Sequence, residues 1–168
     1  VQLLRVSLAP PHELNELDWK TSLSEDKKKL SEHISAFANQ LGGGFFVFGV
    51  NDQGKKIGVT NEAAKEIINR LANLAHDSLG PSVKIDHFLD QDEEGLVLLI
   101  VYVEESQVKP VHIRGKGMEF SFIRTGSSTR KMNNVQLGQA LLSSKVQRFE
   151  ELEAFSSTSV EEVLNLLD

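Results

Sequence analysis

Three groups of residues have the types and spacing to do chemistry. The first is acidic: Glu13, Asp18 and Asp52. They could approach one another if a strand carrying Asp18 lies beside the strand ending at Val50. Clustered carboxylates can hold a divalent cation such as Mg²⁺ or Mn²⁺, which stabilises a phosphodiester's developing charge and activates water. A solvated surface accounts for the same acids. The second group is the run Phe122-Ile123-Arg124-Thr125-Gly126-Ser127-Ser128-Thr129-Arg130-Lys131. It combines cations, hydroxyls and backbone amides freed by Gly126, and such a loop ahead of a helix can bind phosphate. Arg124, Ser127, Ser128, Thr129, Arg130 and Lys131 would make the contacts, with Lys20 and Lys116 as weaker candidates. A plain strand-to-helix turn with a hydroxyl N-cap explains these residues equally well. The third group is Asn39 with Gly42 and Gly43. There the amide can bond the last carbonyls of a helix or point into a groove beside the next strand.

Other chemistries find no support. The chain has no cysteine, which excludes a disulfide scaffold, a thiolate zinc site and a cysteine nucleophile. His12, His33, His76, His87 and His112 show no metal-ligand spacing, so no metal site is expected from them. Gly42-Gly43-Gly44 follows a helix instead of opening one and lacks the Gly-Lys-Ser/Thr of a P-loop. No serine sits in a G-x-S-x-G elbow. No resident cofactor is expected, apart from Mg²⁺ or Mn²⁺ if the acids form a nuclease site.

The 168 residues suit one domain with a real core. No apolar run approaches the ~18–20 residues that span a bilayer, and the first residues carry no signal-peptide pattern. A cytoplasmic location is the expectation. The net charge of -6 argues against coating nucleic acid by bulk charge. Between Lys109 and Lys131, however, six cations face one acid, Glu119. An acidic protein can carry one basic face.

The elements that must position these groups follow from periodicity. Leu17-Asp18-Trp19-Lys20 alternates as a short strand does, with Trp19 expected in the core. Ser22 to Glu25 fits a capping box for a helix whose face is Leu30, Ile34, Phe37 and Leu41. Gly42-Gly43-Gly44 stops that helix. Phe45 to Val50 reads as a strand buried on both faces. Asn51-Asp52-Gln53-Gly54 is a turn, and Lys56 to Val59 is expected to return as a hairpin strand. Asn61 could cap a helix over 62–78, with Ile67, Leu71, Leu74 and Ala75 inward. Val83 to Leu89 reads as a half-exposed strand and Leu96 to Val103 as a central one. After a loop with Pro110, Glu119 to Arg124 reads as a strand. A polar loop at 125–129 then leads to a helix near 134–150 with Val135, Leu137, Leu141 and Leu142 as its apolar residues. The expected fold is α+β: a mixed sheet of about six strands with two to three helices over 1–149. Residues 150–168 read as a helical tail, the start of a linker or further domain of a longer chain.

Taken in order, these segments resemble the Schlafen-type, Alba-like DNA-binding domain family. The matching residues are Glu13 with Asp18-Trp19-Lys20, Ala36-Phe37-Ala38-Asn39 with Gly42-Gly43, Val47-Phe48-Gly49-Val50 with Asn51-Asp52-Gln53-Gly54, Lys109-Pro110, and Arg124-Thr125-Gly126-Ser127-Ser128-Thr129. The likeness covers roughly 11–145. It implies helices against a mixed sheet and a nucleic-acid-related role. In prokaryotes such domains open transcriptional regulators, some labelled RecG-helicase-related, with an ATP-binding-like region and a winged helix commonly following. In the vertebrate branch three carboxylates support RNA cleavage. The first two map to Glu13 and Asp18, but Asn51 stands at the third and Asp52 comes one residue later, so nuclease activity is not the main expectation.

The leading expectation is therefore a binding module for DNA or RNA phosphates in a regulator-like protein. The alternatives are a metal-dependent endoribonuclease using Glu13, Asp18 and Asp52, and an assembly domain facing protein partners, with self-association possible.

Overall fold

Phe45-Phe46-Val47-Phe48 has no polar residue to turn toward water, so both faces of its strand must be covered. The computed structural model describes residues 17–91 and 95–144, and only the backbone of Trp19. In it strand β2 (Gly44–Phe48) lies inside a four-stranded sheet. It runs parallel to β1 (Leu17–Lys20) and antiparallel to β5 (Val97–Val103), beyond which β4 (Ile85–Gln91) forms the edge. Side chains alternate between faces. Phe46 and Phe48 join the main core with Leu30, Ile34, Phe37, Ile67, Leu71 and Val101. Val47 joins a second cluster with Leu17, Val50, Leu98 and Ile100. Burying each phenylalanine contributes about 2–3 kcal/mol.

Helix α1 (Lys27–Asn39) packs on the Phe46 face. Its N-cap is Asp26, whose carboxylate accepts from the Lys29 amide. The expected capping box at Ser22 and Glu25 does not form, because Glu25 is held by Arg70 through both its carboxylate and its carbonyl. The helix also ends earlier than its apolar period. Gln40 is extended, and Leu41 is 86% exposed instead of inward. The glycines that follow serve close approach: a Cβ on Gly44 would enter the Phe37 ring, and one on Gly43 the Val103 carbonyl.

Lys56 to Val59 does not form the expected strand. Only a bridge joins Val50 and Lys56, and the Gly49 carbonyl accepts from the Ile57 and Gly58 amides. The physical reason is that β2 already has β1 and β5 on its two sides. Helix α2 (Asn61–Asp77) is capped by Thr60, one residue before the expected cap, and buries Ile67, Leu71, Leu74 and Ala75. The central position of β5 is as expected. The edge strand β4 is more exposed than its pattern predicts, with Phe88 43% and Leu89 51% exposed.

Two small ladders complete the α+β fold. Strand β3 (Leu79–Gly80) pairs with β6 (His112–Ile113), and β7 (Phe122–Thr125) with β8 (Ser128–Lys131). The described residues thus hold eight short strands in three sheets where about six were expected. A 3-10 turn, Met118–Phe120, replaces the start of the predicted strand at 119. Helix α3 (Asn134–Ser143) has a capping box of Asn133 and Gln136, with Val135, Leu141 and Leu142 largely exposed and Ala140 buried. Residues 145–150 of the predicted helix and the tail at 150–168 lie outside the described residues.

Candidate nucleic-acid interface and the charge cluster behind it

The Arg-Thr-Gly-Ser-Ser-Thr run is a hairpin, not a loop ahead of a helix. Thr125 pairs with Ser128, leaving Gly126 and Ser127 as a two-residue turn. Gly126 takes φ +60° and Ser127 does not have a positive φ, the sign pattern of a type II′ turn. The turn serves strand pairing, and Gly126 takes the positive φ that it requires. Ser127 and Ser128 are exposed and Thr129 is half-buried.

This geometry sorts the six cations of the basic stretch. Lys109 is buried and pairs with Glu105 at 2.7 Å. Arg114 donates to the Leu79 and His76 carbonyls. Arg124 is buried, 6% exposed, and is not at the surface where a phosphate contact was expected. Its side chain follows the inward face of β7. The guanidinium lies 5.2 Å over the Phe37 ring, donates through Nη2 to the Leu17 carbonyl and through Nη1 to Thr129 Oγ1. Arg124 ties the hairpin to β1 across α1.

Arg114 is exposed but tied to the Leu79 and His76 carbonyls; the other exposed cations of the stretch are Lys116, Arg130 and Lys131. Arg130 and Lys131 are consecutive in β8 and project from opposite faces. Arg130 opposes Ile123, and Lys131 opposes Phe122. Lys131 instead converges with Lys116. Their ammonium groups lie 4.0 and 4.6 Å from the centroid of the Phe120 ring. Each such exposed contact is worth about 0.5–1 kcal/mol.

Behind the hairpin lies a buried acid. Asp18 sits opposite Phe46 in the parallel pair, which turns its carboxylate toward α1. It is 5% exposed. An isolated carboxylate there would be costly, but Oδ2 receives His33 Nδ1 at 2.8 Å and Lys20 Nζ at 3.1 Å. Burial by itself raises this carboxyl. The His33 hydrogen bond and the charges of Lys20, His33 and Arg124 oppose it and prevail, holding Asp18 below the ordinary carboxylate value. An ionised carboxylate only accepts, so Nδ1 of His33 carries the proton. The imidazole stacks parallel to Phe46 at 6.3 Å. Lys20 is committed to this pair and is not a free surface cation.

Of the three expected carboxylates, Asp18 and Asp52 lie among the described residues. Glu13 lies outside the described residues. Asn51 uses its side-chain oxygen to accept from the Gln53 and Lys55 amides, closing the turn. Asp52 is exposed on that turn. Among the described residues no group of three or more histidines, cysteines or acids could hold a metal ion.

Asn39 is occupied within the fold. Its amide donates to the Val111 and Phe122 carbonyls and accepts from the Val111 amide at 2.7 Å. Ser35 adds bonds to the same two segments. Together they fasten the Pro110 segment and β7 to α1, which sets where the hairpin stands. Gly42 bonds Glu105 and Tyr102 through its own amide and carbonyl.

His33 and Phe120 were not singled out by sequence reasoning. His33 stands one turn before Phe37 and so shares its face, which was a readable signal. Phe120 looked like an ordinary strand residue, and nothing in its spacing marked it.

The Schlafen, AlbA_2 family model matches residues 13–133. Among solved structures, the N-terminal domain of a RecG-related protein from Nitrosomonas europaea is 26% identical, with a TM-score of 0.53 over 79% of this chain and 92% of that one. The DIP2311 protein from Corynebacterium diphtheriae shares the fold at 17% identity and a TM-score of 0.54, over 77% of this chain. The chain spans only 24% of that protein's length. No curated protein matches the chain in sequence. No helix among the described residues is long and apolar enough to cross a membrane.

Proposed function

Because the chain belongs to the Schlafen, AlbA_2 family, we propose that it is a nucleic-acid-binding domain of a larger, regulator-like protein. The observation that supports this most is the convergence of Lys116 and Lys131 on Phe120, at the end of the hairpin opposite its exposed serine turn. The cations meet backbone phosphates there, and Ser127, Ser128 and Thr129 add hydrogen bonds. Arg130 reaches phosphate from the hairpin's other face. Phosphate contacts of this kind position a strand without reading its sequence. Arg124 and Asn39 act indirectly by holding the hairpin, while Lys20 pairs with Asp18.

Titration of short DNA and RNA oligonucleotides at several salt concentrations tests the reading. Binding weakens with salt, with a log–log slope of about −0.7 for each phosphate contact to a single strand. The Lys116→Ala/Lys131→Ala double variant loses roughly two contacts and flattens the slope by about 1.4. A salt-independent affinity, or no loss in the double variant, counts against this surface. The carboxylate alternative receives no comparable support, since Asn51 closes its own turn and His33 and Lys20 occupy Asp18.

A further inference from the structure

We infer that Phe120 is a stacking platform for one unpaired base, so that the surface takes single-stranded nucleic acid in preference to duplex. This rests on the proposed phosphate-binding reading and specifies its ligand.

The described phenylalanines with exposed area differ in their surroundings. Phe45 is engaged by Tyr102, ring centroids 4.9 Å apart. Phe88 has Asp86 and Asp90 two residues away on either side, on the same face of β4, and acids there repel phosphate. Phe120 alone of the three has two ammonium groups at its ring.

The backbone that carries the ring is also fixed in place. The Phe120 amide donates to the Gly117 carbonyl at 2.9 Å, and the next residue, Ser121, is fully buried with its hydroxyl on the Met118 carbonyl. A platform held before binding loses little entropy when a base lands on it. The lysines are the mobile part. Each carries its charge on a flexible four-carbon stem. In the free protein the ammonium groups rest on the ring. On binding they move to the phosphates flanking the base, and the ring face takes the base. The neighbouring acid Glu119 lies against Gly117, where a Cβ would meet its carboxylate. Bases inside a duplex are already stacked on both faces, so only an unpaired one is available.

The test compares four probes of about ten nucleotides, close to the site size of single-strand binders. They are a DNA strand, an RNA strand, a duplex, and an abasic strand that keeps the phosphates and lacks bases. The DNA and RNA strands separate the two sources of an unpaired base. The whole chain binds the base-carrying strands about tenfold more tightly than the abasic one. Phe120→Leu brings the two within about twofold and leaves the salt slope unchanged, because the phosphate contacts survive. Phe120→Trp keeps the preference and, if Phe120→Leu fails to unfold cooperatively on heating, replaces it by quenching of the new indole. Equal affinity for base-carrying and abasic strands overturns the stacking inference while the phosphate reading stands. Binding to none of the probes at low salt removes both.

Discussion

The interior charges around Asp18 and the surface charges around Phe120 are built from the same residue types and do opposite work. Arg124 and Lys131 lie seven residues apart in one basic stretch and on the same face of one hairpin. Arg124 points along the face that meets α1, crosses Phe37 and ends at the Leu17 carbonyl. Lys131 sits at the far end of that face and emerges beside the half-buried Phe120 ring. Charge near the sheet is spent on holding elements together, and charge at the rim is free to meet a partner. Net charge along the sequence cannot make this distinction, because burial decides it.

The comparison breaks most visibly at Arg124. Arg124→Ala leaves the Leu17 carbonyl unpaired and a gap against Phe37, and costs about 3 kcal/mol, read as a lower denaturant midpoint. Arg124→Lys recovers little of it, since one ammonium cannot donate to both Leu17 and Thr129 in the guanidinium's planar geometry. If the loss instead appeared in affinity with stability unchanged, Arg124 would belong to the interface.

Asp18→Asn has the next largest effect, about 2 kcal/mol at neutral pH. The pH dependence gives it a signature. Asp18 is more acidic in the fold than in the unfolded chain, so its contribution is complete above the unfolded value near 3.8 and is lost as pH falls through the folded one. The variant therefore shows a shallower acid limb, and the two chains converge in stability at low pH. A constant difference down to low pH would mean that the carboxylate charge is not what matters.

The surface lysines give the smallest stability effect. Lys116→Ala/Lys131→Ala changes stability by about 1–2 kcal/mol at most, the sum of two exposed cation–π contacts, while carrying the larger loss in binding. A thermal scan beside the salt titration separates the two regions: interior variants move the melting temperature, rim variants move the salt slope.

Much of the scaffold was legible before the structure. The burial of Leu30, Ile34 and Phe37, the two-faced β2 and the central β5 follow from apolar spacing alone. The failures have different causes. Leu41 continues the helical period, but Gln40 is already extended, because Asn39 is fastened to Val111 and Phe122. Lys56 to Val59 looks like a returning strand, but both sides of β2 are taken. Ser128 to Lys131 is polar enough to pass for a loop, although a Gly-Ser pair between two strand-length runs is a hairpin signal.

The sequence by itself determined the core elements and the family, because periodicity and the ordered short motifs are local properties. It also placed Asn51 where the nuclease branch has an acid. Only the tertiary structure decided which charges are internal. Arg124 finds the Leu17 carbonyl 107 residues away, Lys109 and Lys20 are drawn inward beside near-sequence partners by packing, and Phe120 gains its two lysines from segments eleven and fewer residues away that meet only once the hairpin closes. Side-chain direction and burial arise from packing between elements, and no spacing along the chain encodes them alone.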